Sequence, residues 1–108
     1  MNLNEYQETI KQFAIYPGAG VGNLNALSYT ALGLAEEAGE YAGKVSKLIR
    51  DNVFETQLAT KELGDVLWFV TRAATELNVS LEAIAKQNID KLTKRVKNGT
   101  LQGSGDER

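Results

Sequence analysis

The chain is 108 residues long, with 43% hydrophobic and 24% charged residues and a formal charge of −2. That length suits one domain with a modest core, since a chain of this size buries only about two-thirds of its unfolded surface, and self-association would help it. The absence of cysteine and histidine excludes disulfides, zinc fingers, thiol nucleophiles, Ser/His/Asp triads and the Glu-x-x-His sites of di-iron bundles, and the small negative charge gives no general attraction to a nucleic acid polymer or an anionic membrane.

No stretch is long and apolar enough to cross a bilayer, and Met1-Asn2-Leu3-Asn4-Glu5 lacks the basic-then-apolar form of a signal peptide, so a cytoplasmic location is expected. Residues 4 to 15 read as a helix, with Tyr6, Ile10, Phe13 and Ala14 at helical spacing and Asn2 or Asn4 able to cap it. Tyr16-Pro17-Gly18 stops it. Gly18-Ala19-Gly20-Val21-Gly22 invites a phosphate-loop reading, but no strand precedes it and no Lys-Ser/Thr pair follows, so a flexible connection able to form a lid is expected instead.

The spacing predicts a long helix over 25–49 and a second over 55–77, broken at Arg50-Asp51-Asn52. The first carries Gly33, Gly39 and Gly43, each costing about 1 kcal/mol relative to alanine. Gly39 and Gly43 lie roughly opposite its apolar stripe, which suggests close approach by another helix. A last helix over 81–97 follows Asn78-Val79-Ser80, with Ser80 as N-cap, and is expected to bury Leu81, Ile84, Ala85, Leu92 and Val96. Gly99 ends it, leaving a polar tail over 99–108. The whole reads as an all-α bundle of about four helices in a single domain, 1–98, plus that tail.

Two acidic signatures stand out on the two long helices, Glu36-Glu37-Ala38-Gly39-Glu40 and Glu62-Leu63-Gly64-Asp65. At about 100° per residue, Glu37 and Glu40 lie about 60° apart on one face, and Glu62 and Asp65 do the same on the other helix, while Glu36 points away. The second helix is apolar nearly all round and should be buried. Buried carboxylates cost several kcal/mol each unless neutralised, so four brought together need metal, cationic side chains or protons; a solvated acidic surface is the plainer alternative. Oxygen-only ligands favour Mg²⁺, Mn²⁺ or Ca²⁺. On the last helix Asn88, Lys91 and Arg95 form a polar, cationic line beside the apolar stripe, which an ordinary solvated edge would also produce.

Taken in order, Glu-Glu-x-x-Glu, Glu-x-x-Asp and Asn-x-x-Lys-x-x-x-Arg, from about Asn25 to Arg95, resemble the MazG-type nucleotide pyrophosphohydrolases of the all-α NTP pyrophosphatase superfamily. The resemblance implies cleavage of a nucleoside triphosphate to the monophosphate and pyrophosphate with Mg²⁺ (Mn²⁺ as a substitute), in a homodimer or homotetramer that completes the sites. It implies metal ligation by Glu37, Glu40, Glu62 and Asp65, and phosphate contact by Lys91 and Arg95 with Asn88 as a further substrate contact. The proton acceptor would be Glu37 or Glu36, and Lys91 and Arg95 would stabilise the leaving pyrophosphate. Trp68 joins Phe13, Tyr16, Tyr29 and Phe54 as an aromatic able to meet the base, although most of these serve a core. Other readings are a sensor that binds nucleotide or metal without turnover, a helical dimerisation module, or a related enzyme acting on dUTP or phosphoribosyl-ATP.

Overall fold

A computed structural model describes residues 1–108 as four α-helices with no strand: α1 (Leu3–Thr9), α2 (Leu24–Asp51), α3 (Thr56–Glu76) and α4 (Leu81–Lys97). The helix expected over 4–15 is shorter, because its C-terminal end tightens into a 3₁₀ turn, Ile10–Phe13, a common way for a helix to finish. No helix is long and apolar enough to cross a membrane.

The helix ends follow their capping chemistry. Asn2, Asn23 and Ser80 each sit in extended backbone and accept from the amide three residues on, at 2.8, 2.9 and 3.0 Å, which satisfies one of the free N–H groups of the first turn. Asn52, at φ 54°, ends α2, and Asn78, at φ 57°, ends α3; both take the left-handed conformation that asparagine tolerates. Gly99 (φ 67°) does the same after α4, where the Thr100 amide returns to the Arg95 carbonyl at 2.8 Å.

The principal packing is α2 against α3, joined by four residues and therefore antiparallel. Alternating steps of three and four place Ala26, Thr30, Gly33 and Glu37 along one side of α2, and Glu62, Asp65, Phe69, Arg72 and Glu76 along one side of α3. At the crossing, a Cβ on Gly33 would lie 2.1 Å from Phe69 Cε1, so the absent side chain is the space the ring occupies. Gly39 and Gly43 have nothing within 4 Å of a built Cβ; within the protomer no second helix explains them. Gln7 stitches α1 to the α3–α4 turn, giving its amide protons to Thr75 Oγ1 and the Val79 carbonyl and accepting from the Leu81 amide at 2.7 Å.

The glycine-rich segment is pinned, not loose. Glu76, at the end of α3, has a fully buried carboxylate that accepts from the Tyr16 hydroxyl and from the Gly20 and Gly22 amides at 2.8 and 2.9 Å. Arg72 lies one turn back, with Nη2 3.6 Å from the same carboxylate and Nε donating to Tyr16 at 3.1 Å. Gly22 has φ +72°, and a Cβ there would meet the Glu76 carbonyl at 2.9 Å, so this turn admits glycine on both counts.

Two expectations fail in the protomer. The second acidic helix is not wrapped in protein: Leu58, Leu63 and Leu67 remain partly exposed. Of the five apolar α4 residues expected in the core only Leu81 is buried, while Val96 is 63% exposed and Leu92 also reaches solvent. The reason is geometric. The radius of gyration is 16.5 Å, against about 13 Å for a compact chain of this length. The accessible surface is 7739 Å², about 1,800 Å² above that of a compact monomer of equal mass. The apolar stripes exist as read, but α1, α2 and α3 do not suffice to cover them.

Burial pulls the Glu76 carboxyl upward, but the Tyr16, Gly20 and Gly22 hydrogen bonds and the Arg72 charge outweigh it and hold it below the usual range. A depressed folded-state value means stability that is complete above the unfolded carboxylate pKa and is lost as pH falls through the folded one. Replacing Glu76 by Gln should cost about 3 kcal/mol at neutral pH, because it leaves the buried Arg72 uncompensated. The loss measured by denaturant unfolding should shrink as pH drops below about 4, and exchange at the Gly20 and Gly22 amides should quicken. Equal stability at pH 7 would remove this network from any anchoring role.

Candidate active site

The α2–α3 seam ends in acid. One turn beyond Gly33 on α2 comes Glu37, and one turn before Phe69 on α3 come Asp65 and Glu62; carboxylate oxygens of Glu37, Glu62 and Asp65 all lie within 4.8 Å of one another. Glu37 and Glu62 are half-buried and Asp65 is exposed. Such a triangle suits one hard cation, since oxygens bound to Mg²⁺ at 2.0–2.1 Å stand about 3 to 4 Å apart across its coordination sphere. No lysine or arginine pairs with these three, the ion pairs of the chain lying elsewhere. The cluster therefore keeps its charge.

That charge shows in Glu37, whose carboxyl is pushed above the ordinary value first by burial and then by Asp65, Glu36, Glu62 and Glu40 in turn. Glu40 and Glu36 are exposed and stand outside the three-oxygen triangle, but near enough for their charges to act on Glu37. Tyr6 of α1, expected only as part of that helix's apolar stripe, lies near enough to feel the cluster: burial raises its phenol and the Asp65 carboxylate raises it further. Nothing in the local pattern of α1 signals this, because the approach depends on how Gln7 docks the helix.

Trp68 is half-buried in an aromatic cluster instead of standing free. It meets Phe69 edge-on at 4.9 Å and Tyr16 at 6.3 Å, while Tyr16 stacks on Tyr29 at 4.6 Å. Phe13 and Phe54 take no part in it and are 59% and 40% exposed. The aromatic cluster lies between the acidic triangle and the Arg72–Glu76 anchor of the glycine loop, so three groups follow one another along a single face of α3. The sequence pattern contained that face at three–four spacing, but nothing local singles out Arg72 and Glu76 without the loop that packs over them.

Asn88, Lys91 and Arg95 do share one side of α4, as the spacing required. Asn88 and Lys91 line a cleft of about 570 Å³ together with Lys94, Asp106 and Arg108, and this cleft contains none of the Glu37, Glu62 or Asp65 carboxylates. Lys91 is partly exposed, whereas the Arg95 side chain is 8% exposed. Both are engaged by the tail: Lys91 Nζ is 2.9 Å from Asp106 Oδ1, and Arg95 Nη2 donates to the Asp106 carbonyl at 2.8 Å and stands 3.3 Å from Oδ1. Lys91, and after it Arg95, hold the Asp106 carboxyl below its usual range.

The arrangement can be compared with known proteins at this point. Residues 26–100 match the model of the MazG nucleotide pyrophosphohydrolase domain, a span that takes in the acidic triangle and the cationic line of α4 and ends at the start of the tail. The chain is also similar to the gene 37 protein of Mycobacterium phage L5, at 41% identity over 114 aligned positions covering 100% of both chains. No solved structure matches it. An all-helical chain whose acidic and cationic helices both fall inside that match belongs to the MazG nucleotide pyrophosphohydrolase domain family.

Proposed function

We propose that this protein is a divalent-metal-dependent pyrophosphohydrolase that converts ribo- or deoxynucleoside triphosphates to monophosphate and pyrophosphate, controlling nucleotide pools or removing non-standard nucleotides. The observation that carries the reading is the approach of Glu37, Glu62 and Asp65 to within 4.8 Å with no protein cation beside them. These residues fit Mg²⁺ or Mn²⁺, with Glu40 one turn along α2 the proposed further ligand, and a bound ion there would supply Lewis-acid activation of the phosphoryl group and the attacking water. A triphosphate brings about four negative charges, so it approaches this acidic edge favourably only once the edge is neutralised.

The chain's own groups then divide the work. A Glu37 oxygen left free by the ion, or Glu36 beside it, would accept the proton of the attacking water. Lys91 and Arg95 offer N–H donors to the phosphates and to the charge that develops on the leaving pyrophosphate, with Asn88 as a neutral contact. Trp68 and its aromatic neighbours provide the apolar surface on which a base can lie.

The cleft bearing Lys91 excludes the triangle's carboxylates, and the protomer leaves apolar surface on α2, α3 and α4 uncovered. Both features support a homodimer or homotetramer in which a second copy covers the stripes and closes the site. Light scattering on the purified chain should give twice or four times 11.8 kDa; a monodisperse monomer would count against a shared site.

Incubated with a panel of triphosphates and Mg²⁺, the protein should release monophosphate and pyrophosphate, identified by ³¹P NMR, and EDTA or Glu62→Gln should abolish the reaction. Retained turnover in Glu62→Gln would sink the ligand assignment, and Mg²⁺-dependent nucleotide binding without product would favour a sensor. Glu37 gives an independent check. Its folded-state pKa lies above the ordinary 4.5, so the folded state holds its proton longer and the metal-free protein should lose stability as pH rises through that window. Replacing Glu37 by Gln should therefore raise the metal-free melting temperature by a few degrees at pH 7 while erasing the further rise that Mg²⁺ produces. A lower metal-free melting temperature would show that the crowded charge costs nothing.

A further inference from the structure

The tail is a built loop. Arg108 closes it, donating to the carbonyls of Thr100, Leu101 and Gly105 at 3.1, 3.1 and 2.6 Å, so residues 100–108 hold their own shape with few apolar contacts. The loop is joined to α4 through the turn at Gly99 and is held down by Asp106, whose carboxylate and carbonyl take Lys91 and Arg95. Beneath it Arg95 is 92% shielded, judged from its 8% exposed side chain, and its Nε is buried without a partner, as is Thr100 Oγ1. A buried guanidinium satisfied on one side by a carboxylate and unsatisfied on another has donor capacity left for an anion.

We infer that residues 100–108 form an autoinhibitory strap, in which Asp106 occupies the Lys91–Arg95 cation pair and must be displaced before a phosphate group can reach it. This rests on the reading of Lys91 and Arg95 as phosphate contacts. Arg95 is closed to solvent while the strap is down, so phosphate and strap compete for the same donors. A carboxylate with 71% of its side chain exposed makes a weak, screened pair with its cations, which a di- or triphosphate of higher charge outcompetes. The family match ends at residue 100, where the strap begins. Apparent affinity for phosphate falls by the fraction of molecules in which the strap is open.

The test uses the full chain and inorganic pyrophosphate in EDTA, so that bound metal at the acidic triangle cannot contribute. By calorimetry, Asp106→Asn should bind pyrophosphate about three- to tenfold more tightly than the unmodified chain. Arg108→Ala, which unclips the loop and leaves Asp106 in place, should shift affinity the same way. In the unmodified chain, saturating pyrophosphate should speed hydrogen exchange at the Thr100 amide and along the tail. Unchanged or weaker binding by Asp106→Asn, or tail exchange slowed by pyrophosphate, would overturn the strap and make the tail a fixed wall of the anion site. Adding Lys91→Ala to Asp106→Asn should cancel the gain. If that double variant binds as tightly as Asp106→Asn, or if no variant binds pyrophosphate, then the phosphate assignment of α4 fails and takes the strap with it, whereas the first result leaves that assignment standing.

Discussion

The close crossing of α2 and α3 at Gly33 and Phe69 is the constraint from which the candidate site follows. A helix backbone can approach an aromatic ring this closely only where no Cβ intervenes, and a methyl at position 33 would overlap the ring at 2.1 Å. Fixing the crossing there fixes what faces what one turn away, because each helix advances about 5.4 Å per turn. Toward the connecting loop, Glu37 meets Glu62 and Asp65. In the other direction the aromatic cluster and the Arg72–Glu76 pair follow. A shift of one turn would separate the carboxylates, so the glycine that weakens α2 locally is what registers its acid against that of α3.

The same face of α3 handles charge in two opposite ways. At its C-terminal end Glu76 is fully buried, and every lone pair the fold can reach is used: a phenol, two amides and a guanidinium. At its N-terminal half Glu62 and Asp65 stand with Glu37 and have no cationic neighbour in the protein. The first arrangement lowers a carboxyl's proton affinity and the second raises one. Residue type alone cannot distinguish them; the difference lies in whether backbone donors and an arginine have been brought up. The glycine loop supplies them at one end. Nothing supplies them at the other, which on the proposed reading is the end that takes a cation from outside.

Much of this was legible because it is local. Helix-forming periodicity gave four helices, the last three with boundaries within two residues, Asn2 and Ser80 were readable as caps, and Gly99 as a terminator, since each acts over three or four residues. That acid from both helices would share one place was readable from one-face spacing, although Glu40, read together with Glu37, Glu62 and Asp65, stands outside their triangle. What escaped depends on contacts across the chain. Gln7 reaches residues 75, 79 and 81, Glu76 reaches back to 16, 20 and 22, and Tyr6 comes under the influence of Asp65. Leu92 and Val96 were assigned to a core from their stripe, yet periodicity says only which side of a helix is apolar, not whether the same chain covers it.

The distribution of cations completes the argument. Lys91 and Arg95, the basic groups read as phosphate contacts, are paired with Asp106 and not with the acidic triangle. Had one of them bridged to Glu62 or Asp65, the protomer would have gained a salt bridge and lost both sites at once, since neither a metal nor a phosphate would then find an unbalanced charge. Keeping the two signs apart leaves each with a partial or absent partner. On the proposed reading, a divalent cation and a polyphosphate are the missing counter-charges of the two halves and of each other. The free energy that the fold forgoes by not pairing them internally then becomes binding energy for the metal–nucleotide complex, which explains why a chain with so small a core leaves its carboxylates unpaired.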